Sequence, residues 1–217
     1  MAFKDRRDAG RQLAKRLKHH RGEDVLVLGL PRGGVEVAYE VATALDAPLD
    51  VIVTRKLGAP GNPEFGFGAI GPGGVRVLDR RSVQMLGLDE ERIDRIAARE
   101  QEELDRRMRE YRGERGGPRI EGRTVIVIDD GLATGGTARA AVQTIRASDP
   151  ATLVLAVPVA PPDTARRLAD EVDEMVCLET PAAFMAVGQW YRDFSQTTDE
   201  QVTELLARAR EESECSP

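Results

Sequence analysis

The chain has 217 residues, a length that fits one domain with a sizeable core. Charged residues make up 31% of it, and its formal net charge of -6 argues against a nucleic-acid partner. Two cysteines are too few for a disulfide framework or a metal cluster. The first residues lack the apolar stretch of a signal peptide, and no later run is long enough to span a bilayer. We therefore expect a cytoplasmic protein with a single domain over residues 1–217 and no membrane partner.

The first predicted element is an amphipathic helix over residues 5–20, where apolar residues recur at helical spacing among Arg and Lys. His19 and His20 close this helix, and cationic side chains suit the negative end of a helix dipole. We therefore expect both histidines to be structural, with a catalytic role as the alternative.

A turn rich in glycine follows the first predicted strand, Val25–Gly29. The turn reads Pro31-Arg32-Gly33-Gly34, and a helix is predicted over residues 35–45. Two glycines at a strand-to-helix junction leave backbone N–H groups accessible, and the forked guanidinium of Arg32 can bind phosphate oxygens. The turn is therefore a candidate anion site, with a purely structural turn as the alternative.

A second strand is predicted over residues 49–54, and Arg55-Lys56 follow it directly. Lys56 is the one lysine beyond the first predicted helix, in a chain whose other positive charges are almost all arginine. We predict that Lys56 binds an anion at the end of this strand. A solvated basic rim is the alternative.

Residues 57–74 are dense in glycine and proline. Such a composition over this length predicts a flexible lid loop that can close over a ligand and exclude water. Glu64 lies next to Phe65 near the centre of this stretch and is a candidate general acid/base. A merely solvated carboxylate is the alternative. A further strand is predicted over residues 75–78.

The most charged stretch is a long helix predicted over residues 89–111. Its apolar residues form a narrow stripe, and many of its charges can pair at the i,i+4 spacing. We expect one packed side and one solvated face. A subunit contact in a homo-oligomer is the alternative for the charged face.

The most informative stretch combines a strand, an acidic pair and a loop. Four apolar residues over 125–128 predict a strand buried on both faces, and Asp129 and Asp130 follow at its carboxyl end, where open α/β sheets place ligands. Ala133-Thr134-Gly135-Gly136-Thr137 then leads into a helix, and its N–H groups and hydroxyls can hold a phosphate. Carboxylates beside a phosphate repel it unless they face sugar hydroxyls or Mg²⁺. The stretch therefore predicts a ligand with a phosphate, a sugar and a metal.

Two further strands complete the predicted sheet. They cover residues 151–157 and 174–178, with a helix over residues 163–169 between them. Cys177 lies within the second of these strands and is expected to be an inert core thiol. Strands that alternate with helices indicate an α/β fold, a mostly parallel sheet with helices on both faces.

Aromatic side chains concentrate in residues 179–198, in a chain with only 4% aromatic residues. The segment predicts a small hood in which Trp190 and Tyr191 stack on a planar base while neighbouring polar side chains read its edge. A satellite core that anchors the tail is the alternative. A last amphipathic helix is predicted over residues 199–212.

The run from Val125 to Thr137 closely resembles the signature of type I phosphoribosyltransferases: four apolar residues, two acids and a Thr/Gly-rich loop. The resemblance implies that Ala133 to Thr137 hold the 5-phosphate of phosphoribosyl pyrophosphate. It also implies that Asp129 and Asp130 meet the ribose hydroxyls and Mg²⁺.

The same resemblance extends over about residues 20–180. It implies that the turn containing Arg32, Gly33 and Gly34 is the family's pyrophosphate loop, with a cis peptide at Pro31–Arg32. Lys56 resembles the second pyrophosphate contact of the family. The Gly/Pro-rich stretch stands where the family carries a flexible catalytic loop.

Ala133 bears on the identity of the acid/base. In hypoxanthine-type members of the family an aspartate occupies this position and serves as acid/base. Adenine-type members have alanine there, and their flexible loop contains a glutamate followed by an aromatic residue and a glycine. Glu64-Phe65-Gly66 fits that description, which implies Glu64 as acid/base and a purine as the first expected acceptor.

The resemblance implies a Mg²⁺-dependent transferase of nucleotide metabolism, which moves ribosyl-5-phosphate from phosphoribosyl pyrophosphate to a heterocyclic base. One alternative is a regulatory protein that binds phosphoribosyl pyrophosphate without chemistry. The other is a phosphoacceptor domain, which also ends strands in aspartates and a lysine. Such a domain does not need the loop from Thr134 to Thr137.

Overall fold

The structure is a computed structural model that describes residues 3–113, 115 and 117–214, apart from the side chains of Pro63, Glu64 and Glu214. Its strands, in chain order, are β1 (Val25–Gly29), β2 (Leu49–Val51), β3 (Arg55–Ala59), β4 (Asn62–Ile70), β5 (Arg76–Leu78), β6 (Thr124–Ile128), β7 (Thr152–Val159) and β8 (Glu174–Glu179). Its α-helices are α1 (Arg6–Arg16), α2 (Gly33–Leu45), α3 (Arg80–Met85), α4 (Glu90–Arg112), α5 (Gly136–Arg146), α6 (Pro162–Ala169) and α7 (Asp199–Glu214).

Five parallel strands form the central sheet in the order β2-β1-β6-β7-β8. β1 and β6 are nearly continuous apolar runs because both of their faces are covered. One core includes Val27 and Ile126 together with residues of α1, α2 and α7. A second core includes Leu28 and Val127 together with residues of α5 and α6. The predicted α/β fold with helices on both faces is confirmed.

β1 and β6 lie side by side and end at the same edge of the sheet. Gly29, the last residue of β1, pairs with Ile128, the last residue of β6. The Pro-Arg-Gly-Gly turn and the acidic pair each follow one of these strands within two residues. The topology therefore places both predicted anion and sugar sites at one edge.

Residues 57–74, predicted as a flexible loop, form most of a second sheet. β3, β4 and β5 pair antiparallel in the order β3-β4-β5. Leu57 and Phe67 anchor this hairpin because their side chains are fully buried. Gly68 allows close pairing, since a Cβ there would lie 2.5 Å from the carbonyl oxygen of Val77. The prediction of an irregular loop over residues 57–74 is therefore corrected, because most of this stretch forms strands.

The second parallel strand is shorter than predicted. β2 ends at Val51, and Arg55-Lys56 open β3 instead of closing β2. Lys56 pairs with Ala69 of β4. It therefore belongs to the antiparallel hairpin, because the chain turns away from the parallel sheet after residue 51.

Most of the helices follow the predictions, but α3 was not predicted. α4 spans the predicted charged helix, and the side chain of Asp89 caps it by accepting the N–H of Arg92 at 2.8 Å. The first helix is shorter than predicted, because α1 ends at Arg16 and a 3₁₀ turn covers Lys18–His20. No helix within the described ranges is both long and apolar enough to cross a membrane.

Candidate active site

The turn after β1 packs directly against the acidic pair after β6. A Cβ at Gly33 would lie 2.0 Å from Oδ2 of Asp130, and a Cβ at Gly34 would lie 2.7 Å from the carbonyl oxygen of Ile128. Both positions therefore need glycine, because any side chain would collide with the neighbouring strand end. The peptide between Pro31 and Arg32 is cis, as the resemblance implies.

The two carboxyl groups of the acidic pair are poorly solvated. Oδ1 of Asp129 accepts the backbone N–H of Asp130 at 2.9 Å. Burial, together with the neighbouring Asp130 charge, raises the pKa of Asp129 well above its ordinary value. Burial also raises the pKa of Asp130, against the opposing effect of the Arg6 guanidinium. Adjacent carboxyl groups in such a position favour a cation or hydroxyl donors as their partner.

Arg6, the first residue of α1, is bound to this pair. Its Nε donates to Oδ2 of Asp130 at 2.7 Å, and its Nη1 donates to the carbonyl oxygen of Ser195 at 2.7 Å. Its Cζ lies 4.0 Å from the ring centroid of Phe194. The Arg6 side chain is only 8% exposed, so the ion pair is a buried one. Sequence reasoning missed this residue, because Arg6 is one of many basic residues in its helix and Asp130 is 124 residues away.

The loop before α5 has the shape of a phosphate cradle. α5 begins at Gly136, and the preceding Gly135 adopts a left-handed conformation with φ of 77°. A Cβ at Gly135 would also lie 2.8 Å from Cγ2 of Thr164. Thr134 and Thr137 are exposed, and the first N–H groups of a helix lack partners within it. The loop can therefore present several donors to one anion.

Helix α6 supports this loop from behind. The hydroxyl of Thr164 donates to the carbonyl oxygen of Ala133 at 3.0 Å. Nη2 of Arg167 donates to the carbonyl oxygen of Thr134 at 3.5 Å and to the hydroxyl of Thr164 at 3.3 Å. These contacts fix the carbonyl groups of Ala133 and Thr134.

Lys56 lies close to the phosphate loop. One cavity of about 660 Å³ includes Thr54, Lys56 and Thr137 in its lining. A second cavity, of about 570 Å³, includes Lys56, Thr134 and Gly136. The hydroxyl of Thr54 is buried without a hydrogen-bond partner in the described part of the chain. The hairpin therefore brings Lys56 to the phosphate loop by a route that the sequence did not predict.

Two predicted residues are not seen to converge on this cleft. The side chain of Arg32 is 37% exposed, and its Nη1 lies 3.6 Å from Oδ2 of Asp199 in the first turn of α7. The backbone of Glu64 lies in β4, and its side chain lies outside the described residues. The catalytic role of Glu64 therefore stays a prediction.

The hood segment contains a satellite core. Tyr191 is buried, its hydroxyl donates to the carbonyl oxygen of Asp130, and its ring centroid lies 5.4 Å from Phe3 and 5.0 Å from Phe194. The prediction that Tyr191 stacks on a base is wrong, because its ring fills the space between the N-terminal segment and the acidic pair. Trp190 packs against the same cluster and keeps part of its ring exposed. Its stacking role stays a prediction.

The chain belongs to the phosphoribosyl transferase domain family, whose match covers residues 3–193. This range contains both glycine turns, the acidic pair, the phosphate loop and Lys56. The family match and the arrangement at the carboxyl edge of the sheet therefore agree, and the class of protein is that of the phosphoribosyltransferases.

Two proteins of Mycobacterium tuberculosis, provisionally named phosphoribosyl transferases, are 53% identical to this chain over 207 residues. Each match covers 95% of this chain and 47% of the relative, so the chain spans about half the length of these relatives. The crystal structure of TT1426 from Thermus thermophilus is 45% identical, with a TM-score of 0.89 over 96% of this chain and 99% of that one. The fold is therefore shared over nearly the whole of both chains.

Proposed function

We propose that the protein transfers the ribosyl-5-phosphate group of phosphoribosyl pyrophosphate to a nitrogen of a heterocyclic base and releases pyrophosphate, with Mg²⁺ as cofactor. The observation that carries the proposal is the packing of the turn after β1 onto the acidic pair after β6, where Gly33 leaves no room for a Cβ beside Asp130. A phosphate cradle opens onto the same edge a few residues later. One ligand that carries a phosphate and a pyrophosphate on the same sugar fits this combination.

Three parts of the donor substrate match three parts of the edge. The 5-phosphate fits residues 133–137, where helix N–H groups and threonine hydroxyls can bind its oxygens. The ribose hydroxyls fit Asp129 and Asp130, whose oxygens accept hydrogen bonds. The pyrophosphate fits the turn over residues 31–34 together with Lys56. Binding at three points fixes the anomeric carbon, which supports catalysis by positioning.

The reaction breaks the bond between the anomeric carbon and a pyrophosphate oxygen and forms a bond from that carbon to the base nitrogen. Positive charge develops on the ribose, and negative charge grows on the departing pyrophosphate. Lys56 and the N–H groups of the turn over residues 31–34 stabilise the departing charge. The proton of the attacking nitrogen passes to a base, for which Glu64 remains our candidate, since Ala133 cannot accept it.

The acidic pair fits Mg²⁺. Its donors are carboxylate oxygens, which this ion prefers. Burial raises the pKa of both carboxyl groups, and a bound cation would favour the ionised form that burial disfavours. Asp129 and Asp130 would hold the ion together with oxygens of the substrate. Bound there, Mg²⁺ would supply positive charge to the pyrophosphate.

The acceptor that we propose first is a purine, on the basis of Ala133 and the Glu64-Phe65-Gly66 sequence. Phe194, with 36% of its surface exposed, presents an aromatic side chain of the hood to solvent. An exposed ring near the acidic pair suits a planar heterocycle of any kind, so the test needs a broad panel of bases.

The experiment is a turnover assay with phosphoribosyl pyrophosphate, Mg²⁺ and a panel of purines, pyrimidines and other heterocycles. Pyrophosphate release and the mass of the nucleotide product are measured. Turnover is expected with one class of base and is expected to be lost in Asp129→Asn. The control is Asp24→Asn, at the opposite end of β1, where the side chain is 73% exposed. Binding without turnover of any base would favour the regulatory alternative, and absence of binding would contradict the proposal.

A further inference from the structure

The chain has two histidines, and their rings lie together, with centroids 4.2 Å apart, at the amino ends of the parallel strands, opposite to the acidic pair. Nε2 of His19 lies 3.1 Å from Oε2 of Glu174, and Nε2 of His20 lies 2.9 Å from the same oxygen. Glu174 is the first residue of β8, so the cluster is at the amino end of the parallel strands. Two imidazoles of one short turn thus converge on a single carboxylate oxygen from a distant part of the sequence.

A second carboxylate orients the buried ring of this cluster. Nδ1 of His20 lies 2.9 Å from Oε2 of Glu23, and His20 is only 6% exposed. A neutral imidazole has one N–H and one lone pair. If the single N–H of a neutral ring points to Glu23, the lone pair of Nε2 faces Glu174 at 2.9 Å. Two electron-rich atoms at this distance need either a second ring proton or a bound cation between them. Histidines that bind metals usually donate their other N–H to a carboxylate in this way.

The spacing of the three ligand atoms suits a small cation. The atoms of His19, His20 and Glu174 all lie within 4.8 Å of one another. A tetrahedral ion with bonds of about 2.0–2.2 Å holds its ligand atoms about 3.3 Å apart. The two nitrogen–oxygen separations, 2.9 and 3.1 Å, need only a small opening to reach this distance.

We propose that His19, His20 and Glu174 form a binding site for a divalent first-row transition-metal ion, with Zn²⁺ the best match and water in the fourth position. Two nitrogen donors and one carboxylate favour such an ion over Mg²⁺, which prefers oxygen ligands only. The half-exposed ring of His19 provides the route of entry. The bound ion fastens the turn after α1 to β8, the edge strand of the sheet.

Nitrogen NMR tests this site directly. Because the chain contains two histidines, long-range ¹H–¹⁵N spectra of protein without an affinity tag show the nitrogens of two rings only. One equivalent of Zn²⁺ is expected to shift the Nε2 signals of both rings, while Nδ1 of His20 keeps its proton. Unchanged Nε2 signals at saturating Zn²⁺ would show that both rings are merely hydrogen-bonded to Glu174, and the proposal would be wrong.

Equilibrium dialysis with Zn²⁺ locates the ion. Glu174→Gln keeps the shape of the side chain and is expected to weaken binding at least about tenfold. His19→Ala, on the half-exposed ring, is expected to do the same while circular dichroism and the melting temperature report an intact fold. Glu179→Gln, at the other end of β8, is the matched control and should bind Zn²⁺ like the wild type. Equal affinity in all four proteins would place the ion elsewhere and overturn the proposal.

Discussion

Replacing Arg6 with methionine tests the link between the first helix and the acidic pair. The substitution keeps most of the aliphatic volume and removes the charge that lies 2.7 Å from Asp130. The Arg6 side chain is 8% exposed and that of Asp130 16%, so this ion pair is largely buried. Removing one partner of a buried pair costs about 3–5 kcal/mol, because the other charge stays behind without compensation. We expect the free energy of unfolding to fall by about 3 kcal/mol. This value is at the lower end of that range because Asp130 is not fully shielded from solvent.

Urea unfolding at pH 7, followed by circular dichroism, measures this loss. Arg7→Met is the matched control, because Arg7 is 52% exposed and lies 3.8 Å from Glu40. Arg7 is exposed and Glu40 stays paired with Arg11 at 3.6 Å, so we expect a loss of only about 0–1 kcal/mol. The loss caused by Arg6→Met should also shrink in an Asp130→Asn background, where no carboxylate is left unpaired. Equal losses for both arginines, or an undiminished loss in the Asp130→Asn background, would refute the reasoning.

The remaining predictions concern Asp129, Glu64 and two glycines. Asp129→Asn should raise the free energy of unfolding at pH 7, because burial raises the pKa of Asp129 above its ordinary 3.8. Folding favours the protonated form of Asp129, so the stability gained by Asp129→Asn should shrink as the pH falls from the pKa of the folded state towards 3.8. Below pH 3.8 the gain should be absent. Unfolding curves that show the same difference between the two proteins at every pH would contradict this prediction. Gly33→Ala should destabilise by about 1–3 kcal/mol through overpacking, as read from urea midpoints. Gly136→Ala is the control and should be tolerated, because the nearest atom to an added Cβ lies at 3.8 Å. Equal losses of stability in the two alanine variants would be inconsistent with the packing. Glu64→Gln should lower kcat by about 10²–10⁴-fold in steady-state assays, with little change in affinity for phosphoribosyl pyrophosphate. If chemistry is rate-limiting and the variant keeps more than about a tenth of kcat, Glu64 is excluded as the general acid/base.

The site at the carboxyl edge of the sheet could be predicted because its residues lie in short continuous segments of the sequence. The strand before Asp129, the acidic pair and the loop after it occupy 13 consecutive residues, Val125 to Thr137. The turn after β1 is equally local, and alternation of strands and helices places both at one edge. Local sequence was therefore sufficient for the α/β fold and for the two glycine turns.

The hairpin could not be predicted from composition, because glycine has two opposite uses. The glycine-rich composition of residues 57–74 predicts an irregular lid. In the structure, the missing side chain of Gly68 instead allows β4 to approach Val77 of β5. What distinguishes the two cases is the burial of Leu57 and Phe67, and this depends on the rest of the fold. The same holds for Tyr191, whose aromatic ring could serve equally well in a hood or in a satellite core.

Contacts between residues that are distant in the sequence also could not be predicted from it. Arg6 meets Asp130 across 124 residues, and His20 meets Glu174 across 154. No local pattern separates these side chains from the other charged residues of the first helix. The sequence therefore predicts that both histidines interact with the helix dipole, whereas α1 ends at Arg16 and the rings contact carboxylates.

Calorimetric titration with phosphoribosyl pyrophosphate tests the central claim most directly, because it asks whether the edge beside Asp129 binds this ligand at all. We predict one site per chain, an affinity that rises when Mg²⁺ is present, and a weakening of at least about tenfold in Asp129→Asn, the loss expected for a metal contact. Asp24→Asn, at the far end of β1, should bind like the wild type. Absence of binding at millimolar ligand, or one affinity for all three proteins with and without Mg²⁺, would contradict the assignment of this edge.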